Sequence, residues 1–87
     1  MPWINNLNFQ YPYNLPFISK LLIDCKVVSF FSGATGYVVD VIPRTGDEFF
    51  VIIEWDHRTD KSYINGEDLS GISFLIPVDK TYLLGLK

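Results

Sequence analysis

The sequence has a single cysteine, no charged residue before Lys20 and no long hydrophobic run. One cysteine, Cys25, excludes an internal disulfide and a cysteine-based zinc site, and it fits a reducing compartment. The longest purely apolar run, Phe49–Ile53, is far shorter than the roughly 20 residues that cross a bilayer as a helix. No basic segment followed by an apolar stretch opens the chain, so no secretory signal is expected. We therefore expect a cytoplasmic protein without a membrane partner.

Basic residues are also scarce. Seven Lys and Arg stand against ten Asp and Glu, which gives a net charge of −3. Seven of the ten acidic residues fall between positions 47 and 68. Binding to nucleic acid normally requires clustered Lys and Arg that displace counterions from the phosphates, and scattered basic residues form no such cluster. The composition disfavours direct binding to DNA or RNA.

Apolar and aromatic side chains are abundant. Of the 87 residues, 48 % are hydrophobic and 16 % are aromatic, which supports one packed core and disfavours disorder. Residues 1–17 stand apart, with three prolines, five aromatic residues and no charge. Because these prolines forbid a continuous helix, we predict an extended aromatic, proline-rich arm over residues 1–20. Its rings lie either on this domain's own barrel or on a partner. A short helical turn is expected between Pro16 and Leu22.

From Cys25 onward, short apolar stretches separated by turn signals predict one all-β domain over residues 21–87. Strict alternation in the second strand places Tyr37, Val39 and Val41 on one face. The third strand is apolar on both faces, so it needs cover outside the barrel, and the arm is the expected cover. "GEDL" predicts a helical turn, and "TYLLGL" predicts an edge strand or a tail. The five predicted strands are residues 25–31, 36–42, 48–56, 61–65 and 71–77.

The glycines of "SGATGYVVDV" raise the question of a phosphate-binding loop. Such a loop needs Lys followed by Ser or Thr after its last glycine, and then a helix. Here Tyr37 and β-branched valines follow, which is typical of a strand. We therefore predict that Gly33 and Gly36 turn the chain, through positive φ or a close approach of backbones. Gly46 does the same in the hairpin loop "PRTGDE".

Two groups of residues are candidates for chemistry. Three carboxylates and an imidazole lie within residues 54–60, but a metal site needs at least three convergent ligands, and a solvated acidic turn is the favoured interpretation. Cys25 and His57 are a nominal nucleophile and base, yet the valines beside Cys25 indicate a buried strand position. We expect no enzyme activity, no metal site and no cofactor.

Residues 26–69 follow a recognisable order: a strand, a glycine-containing loop, Gly36-x-Val38-x-x-Val41, a hairpin, a strand ending in Trp55-Asp56, and an Asp-Leu turn. This pattern resembles the SH3-like small-barrel superfamily, in particular its bacterial and KOW-type members. The resemblance implies a single five-stranded SH3-like barrel. It also implies a partner surface between the first loop and the hairpin loop, with Tyr37, Trp55 and Tyr63 near it. The alternative for Trp55 is a packing role in the core.

The predicted function is that of a non-catalytic protein-interaction module, either an accessory subunit or a small acidic inhibitor of the phage or bacterial immunity type. Its partner is a larger protein, such as a basic, nucleic-acid-processing one. The alternative is a KOW-like nucleic-acid-binding module, against which the lack of basic residues counts. The predicted partner-binding residues are Tyr37, Trp55, Tyr63, Asp47, Glu48, Asp56, Glu67 and Asp68.

Overall fold

The computed structural model describes residues 3–5, 14–45 and 48–84. Six strands, one α-helix and two 3-10 helices make up this part of the chain. In chain order, the elements are β1 (Trp3–Asn5), α1 (Leu15–Leu22), β2 (Lys26–Ser29), β3 (Thr35–Pro43), β4 (Phe49–Trp55), β5 (Lys61–Asn65), the first 3-10 helix (Gly66–Gly71), β6 (Ile72–Leu75) and the second 3-10 helix (Val78–Leu84).

The strands form one antiparallel sheet in the order β1-β6-β2-β3-β4-β5. Strands β2 to β5 follow one another as a meander, and β6 then returns to lie between β1 and β2. The prediction of an all-β domain is confirmed. The five predicted strands correspond to β2–β6, although β2 ends at Ser29 and not at residue 31.

Helix α1 begins at a proline-containing segment because its first turn is locally capped. The side chain of Asn14 accepts a hydrogen bond from the backbone N–H of Phe17 at 3.2 Å. Pro16 lies in the first turn, where a missing N–H costs nothing. Ile18, Leu21 and Leu22 form its buried face. Residues 15–20 of the predicted extended arm are therefore helical, and the expected helical turn before Leu22 is confirmed.

A β-bulge interrupts β3. Val38 pairs with Ile53 and Asp40 pairs with Ile52, so Val39 is an extra residue without an opposite partner. Beyond the bulge the inward-facing positions shift by one residue, and Val41 is buried like Val38. The predicted alternation, which placed Val41 on the face of Tyr37, is wrong because of this bulge.

The core lies between the inner face of the sheet and α1. On β4, side chains alternate with the pleat, so that Phe49, Val51 and Ile53 face inward and are almost fully buried. They pack with buried residues of α1, β2, β3, β6 and the first 3-10 helix. The fully buried residues with the largest side chains are Phe49, Phe74, Ile18, Leu21, Leu22, Ile53, Leu69 and Ile76.

The outer face of β4 carries Phe50 and Ile52, and Phe50 is half-buried. The ring of Phe50 meets the ring of Tyr63 edge-on, with centroids 6.2 Å apart. The guanidinium of Arg44 lies 4.7 Å from the same ring. Arm residues 6–13, which were expected to cover this face, lie outside the described residues. The described arm segment β1 pairs with β6.

The segment after β6 differs from the prediction. "TYLLGL" was expected to form an edge strand or a tail, but residues 78–84 form the second 3-10 helix. Pro77 cannot donate to a sheet, and its carbonyl accepts from the N–H of Lys80 at 2.9 Å, which closes a turn. The Lys80 ammonium also donates to the carbonyl of Ile23, just after α1. Within the described residues, no helix is long and apolar enough to cross a membrane.

Candidate functional site

The loop between β2 and β3 is held by its own hydrogen bonds. The Gly33 N–H donates to the Ser29 carbonyl at 2.8 Å, and the Ser29 N–H donates to the Ala34 carbonyl at 2.9 Å. The Ser29 hydroxyl accepts from the N–H of Phe31, and the Ser32 hydroxyl accepts from the N–H of Ala34, each at 3.3 Å. Four hydrogen bonds therefore fix a loop of only a few residues.

Two adjacent phenylalanines project from this loop into solvent. Phe30 is 54 % exposed and Phe31 is 91 % exposed. The N–H of Phe30 donates to the carbonyl of Gly71 at 2.9 Å, and one edge of the Phe31 ring lies near Gly71. Burying a phenylalanine contributes about 1.5–3 kcal/mol, and Phe31 makes almost none of that contribution to the fold.

A shallow pocket of about 360 Å³ lies beside the same loop, lined by Ser32, Gly33, Ala34, Thr35, Asp56 and His57. The hydroxyl of Thr35 donates to the Asp56 carboxylate at 2.7 Å. The backbone N–H of Asp56 donates to the Thr35 carbonyl at 2.9 Å. These two bonds hold the carboxylate at the pocket while Asp56 stays exposed. We call Phe30, Phe31 and this pocket the loop surface.

The three aromatic residues predicted at a partner surface do not lie together. Tyr37 and Tyr63 are on the outer face of the sheet and are 44 % and 60 % exposed. Trp55 points to the other face, where it is part of the core. Its indole N–H donates to the hydroxyl of Ser62 at 2.7 Å. Trp55 is therefore a packing residue, as the alternative interpretation held.

The predicted acidic residues are divided between the two ends of β4. Glu48 precedes this strand and pairs with Arg44 at 3.4 Å, whereas Asp56 follows the strand and belongs to the loop surface. Glu67 and Asp68 are exposed in the first 3-10 helix. Asp47 and Gly46 lie outside the described residues. Among the described residues, Glu48 and Asp56 therefore lie at opposite ends of β4.

A further carboxylate of the acidic segment is neutralised within its own turn. Asp60 accepts from the Arg58 Nε at 3.0 Å and also from a terminal nitrogen of the same guanidinium. The hydrogen bonds from Arg58 hold the pKa of Asp60 below its usual value. Both charges are satisfied locally, so Asp60 itself offers a partner little net negative charge.

The two glycines of "SGATG" have different roles. Gly33 adopts φ +72°, and a β-carbon there would meet nothing within 4 Å, so Gly33 serves the turn itself. Gly36 lies inside β3, opposite Trp55. A β-carbon at Gly36 would lie 2.5 Å from the carbonyl oxygen of Glu54. A glycine is therefore required at position 36 because two strands approach closely there. Close approach of backbones was one of the two reasons predicted for these glycines.

The geometry supports no catalytic role for Cys25. Its side chain is fully buried, and the thiol donates to the Leu21 carbonyl at 3.0 Å. Burial raises the pKa of this thiol to about 11, although the nearby charge of Lys80 acts in the opposite direction. His57 is exposed in a turn. Among the described residues, no group of three or more His, Cys, Asp or Glu side chains is arranged to hold a metal ion.

Sequence reasoning missed Phe30 and Phe31. An apolar pair after two valines is typical of a continuing strand, and the strand was predicted to extend to residue 31. The signal that ends it is the pair of hydroxyls at Ser29 and Ser32 followed by Gly33, because Ser side chains and glycine favour turns. Comparisons with protein-family models, curated proteins and solved structures gave no match for this chain.

Proposed function

We propose that this chain is a non-catalytic protein-binding module that engages its partner through the loop surface. The observation that carries the proposal is the exposure of Phe30 and Phe31 on a loop fixed by four hydrogen bonds. Because the loop is already ordered, the free energy of binding is not reduced by an entropy cost of ordering it. Large apolar side chains that become fully desolvated at the centre of an interface carry much of the binding energy.

The proposed partner is a protein with an apolar groove bordered by a basic side chain. The rings of Phe30 and Phe31 require an apolar groove, and the carboxylate of Asp56, at the pocket lined by the same loop, accepts a Lys or Arg from the rim of that groove. This chemistry fits a larger, basic protein, to which the chain is an accessory subunit or an acidic inhibitor.

The fold that carries this surface is proposed to be an SH3-like barrel. The support is the meander β2–β5, the 3-10 turn before β6, and the return of β6 to the side of β2. In that fold the loop after the first long strand borders the partner surface. Phe30 and Phe31 occupy this loop.

No observation favours the KOW-like alternative. Arg44 and Arg58 are each paired with a carboxylate of their own turn. The loop surface presents Asp56 where a phosphate-binding surface needs a cation. We therefore propose a protein partner and not a nucleic acid.

The test is capture of the partner from nuclease-treated lysate of the source cells, followed by affinity measurement with the purified partner. Phe31→Ser removes the most exposed ring and is expected to weaken binding about tenfold or more. Tyr37→Ser is the matched control, because it removes an exposed aromatic residue on the outer face of the sheet. It should leave affinity within about twofold. The reverse result would place the partner on the outer face and contradict the proposal.

The acidic residues are tested separately through salt dependence. If the partner is basic, Asp56→Asn should slow association and flatten its dependence on salt, because long-range attraction acts mainly on the association rate. The variant Glu48→Gln/Glu67→Gln/Asp68→Asn tests the remaining predicted carboxylates in the same assay. Variants that bind nucleic acid better and the protein partner no worse would favour the KOW-like alternative.

A further inference from the structure

Strand β5 is an edge strand with little protection. Among the described residues it pairs with β4 alone, and it ends the sheet. Its five residues, Lys61–Asn65, contain no proline, and its pairing with β4 shows no bulge. Native proteins commonly protect exposed edges with short strands, prolines, bulges, charged side chains (lysine above all) or a covering segment. The only charged residue here is Lys61, at the first position of the strand.

We propose that β5 pairs with β5 of a second copy of this chain, antiparallel, about a twofold axis at Tyr63. A twofold contact uses the same surface on both copies and closes after two. The pairing joins the two sheets into one continuous sheet and satisfies the outward-facing N–H and C=O groups of each β5. The inference does not depend on the loop surface or on its proposed partner.

The register follows from the length and charge of β5. Only an axis at Tyr63 lets all five residues of each strand pair. Lys61 then faces Asn65 of the second copy, and Ser62 faces Ile64. An axis at Lys61 would place two like charges opposite each other, which is unfavourable, and would leave most of each strand unpaired. The register with the most backbone pairs is therefore also the one that keeps the lysines apart.

The side chains on the outer face favour the same register. Tyr63 is 60 % exposed and already meets the ring of Phe50 edge-on. Residues directly opposite in antiparallel strands point to the same face, so the two Tyr63 rings become cross-strand neighbours. The contact of Phe50 with Tyr63 is thereby extended into a row of four rings across the axis. Pairing through five residues is small beside standard interfaces, so we expect a weak dimer, populated at about 100 µM and above.

Cysteine cross-linking tests the axis directly. Opposite residues in antiparallel strands have Cα atoms about 4.5–5.5 Å apart, within the roughly 4.4–6.8 Å that a disulfide spans. Tyr63→Cys should therefore cross-link to a covalent dimer under mild oxidation. The native thiol of Cys25 does not compete, because it is fully buried. Lys61→Cys is the matched control, since it faces Asn65 and should cross-link only when mixed with Asn65→Cys.

The unmodified protein is tested by sedimentation between about 10 µM and 1 mM. We expect its average mass to rise toward that of a dimer. Tyr63→Glu should stay monomeric and folded, because it places two like charges at the axis and changes an exposed residue. Phe31→Ser should dimerise like the wild type. A wild type that stays monomeric over this concentration range overturns the proposal. Equal cross-linking of Tyr63→Cys and Lys61→Cys alone also overturns it.

Discussion

Two aromatic regions of this chain have opposite environments. At the end of β4, Trp55 is 8 % exposed and its indole N–H is satisfied by Ser62. In the loop between β2 and β3, Phe31 is 91 % exposed. The difference is set by the backbone, because the turn at Ser29 ends β2 before Phe31 can enter the sheet. At one end of a single sheet, Trp55 thus stabilises the fold, whereas Phe31 stays exposed and available for binding.

The largest expected effect is on the buried region. Trp55→Ala removes a large core side chain and leaves a cavity, which should lower the free energy of unfolding by about 3–5 kcal/mol. Trp55→Phe should cost less, because it keeps most of the apolar contact. Its remaining cost comes from the loss of the hydrogen bond to Ser62. Denaturant unfolding measures both. A loss below about 1 kcal/mol for Trp55→Ala would mean that this end of β4 is not part of the core.

Alkaline pH is a second probe of the buried region. Folding raises the pKa of the Cys25 thiol from 9.0 to about 11 because the thiol is buried. The neutral thiol therefore stabilises the fold fully below pH 9, and this contribution is lost as pH rises through 11. The loss is on the order of 2–3 kcal/mol. Unfolding measured from pH 8 to 11 should show it, and Cys25→Ala should show a smaller decline. Equal declines would assign the effect to other groups.

Gly33 lies in the exposed loop and Gly36 lies opposite the buried Trp55, so substitutions of these two glycines compare the two regions. Gly36→Val should destabilise by about 1–3 kcal/mol, because its β-carbon would meet the backbone of Glu54 and the ring of Trp55. Gly33→Ala should cost about 1 kcal/mol through its positive φ alone. Thermal melts of both variants rank the two effects. A larger loss at Gly33 would show that conformation in the loop matters more than contact between the strands.

The smallest expected effect is on the exposed region. Phe31→Ser should change the free energy of unfolding by no more than about 0.5 kcal/mol, because the ring buries little surface. Phe74→Ser serves as the matched control, since Phe74 is fully buried and its loss should be severe. If Phe31→Ser instead cost about 2 kcal/mol, the ring would be packed in solution and unavailable to a partner.

The parts of the fold that depend on local pattern could be predicted from the sequence. Strand β5 was predicted at residues 61–65 and has those bounds, and β4 differs from its prediction by one residue at each end. Alternation along β4 predicts that Phe49, Val51 and Ile53 share one face, and in the structure this face is the buried one. The bulge at Val39 could not be predicted in this way, because it is defined only by the partner strand β4. The order β1-β6-β2 is likewise a non-local property of the chain.

The candidate site was predicted only in part, for a related physical reason. Asp56 was predicted as a solvated residue at the end of the third strand; in the structure it is exposed in the turn directly after β4. Phe30 and Phe31 were assigned to a strand because periodicity cannot tell a buried apolar pair from an exposed one. Hydrogen bonds of the serine hydroxyls decide that question. Whether Trp55 lies in the core or at the surface could not be predicted either. Its indole N–H is satisfied by the hydroxyl of Ser62, and this hydrogen bond forms only in the folded sheet.

The position of β6 between β1 and β2 has a consequence for how the chain folds. Lys26 pairs with Leu75 and Trp3 pairs with the same residue, so among the described residues β1 and β2 are joined only through β6, which follows β5 in the chain. Closing so long a loop carries an entropic cost before any contact offsets it, and such topologies fold in milliseconds to seconds. During synthesis the local meander β2–β5 can form first. One side of β2 stays unpaired until β6 leaves the ribosome, and during this interval the open edge of β2 is available for wrong pairing.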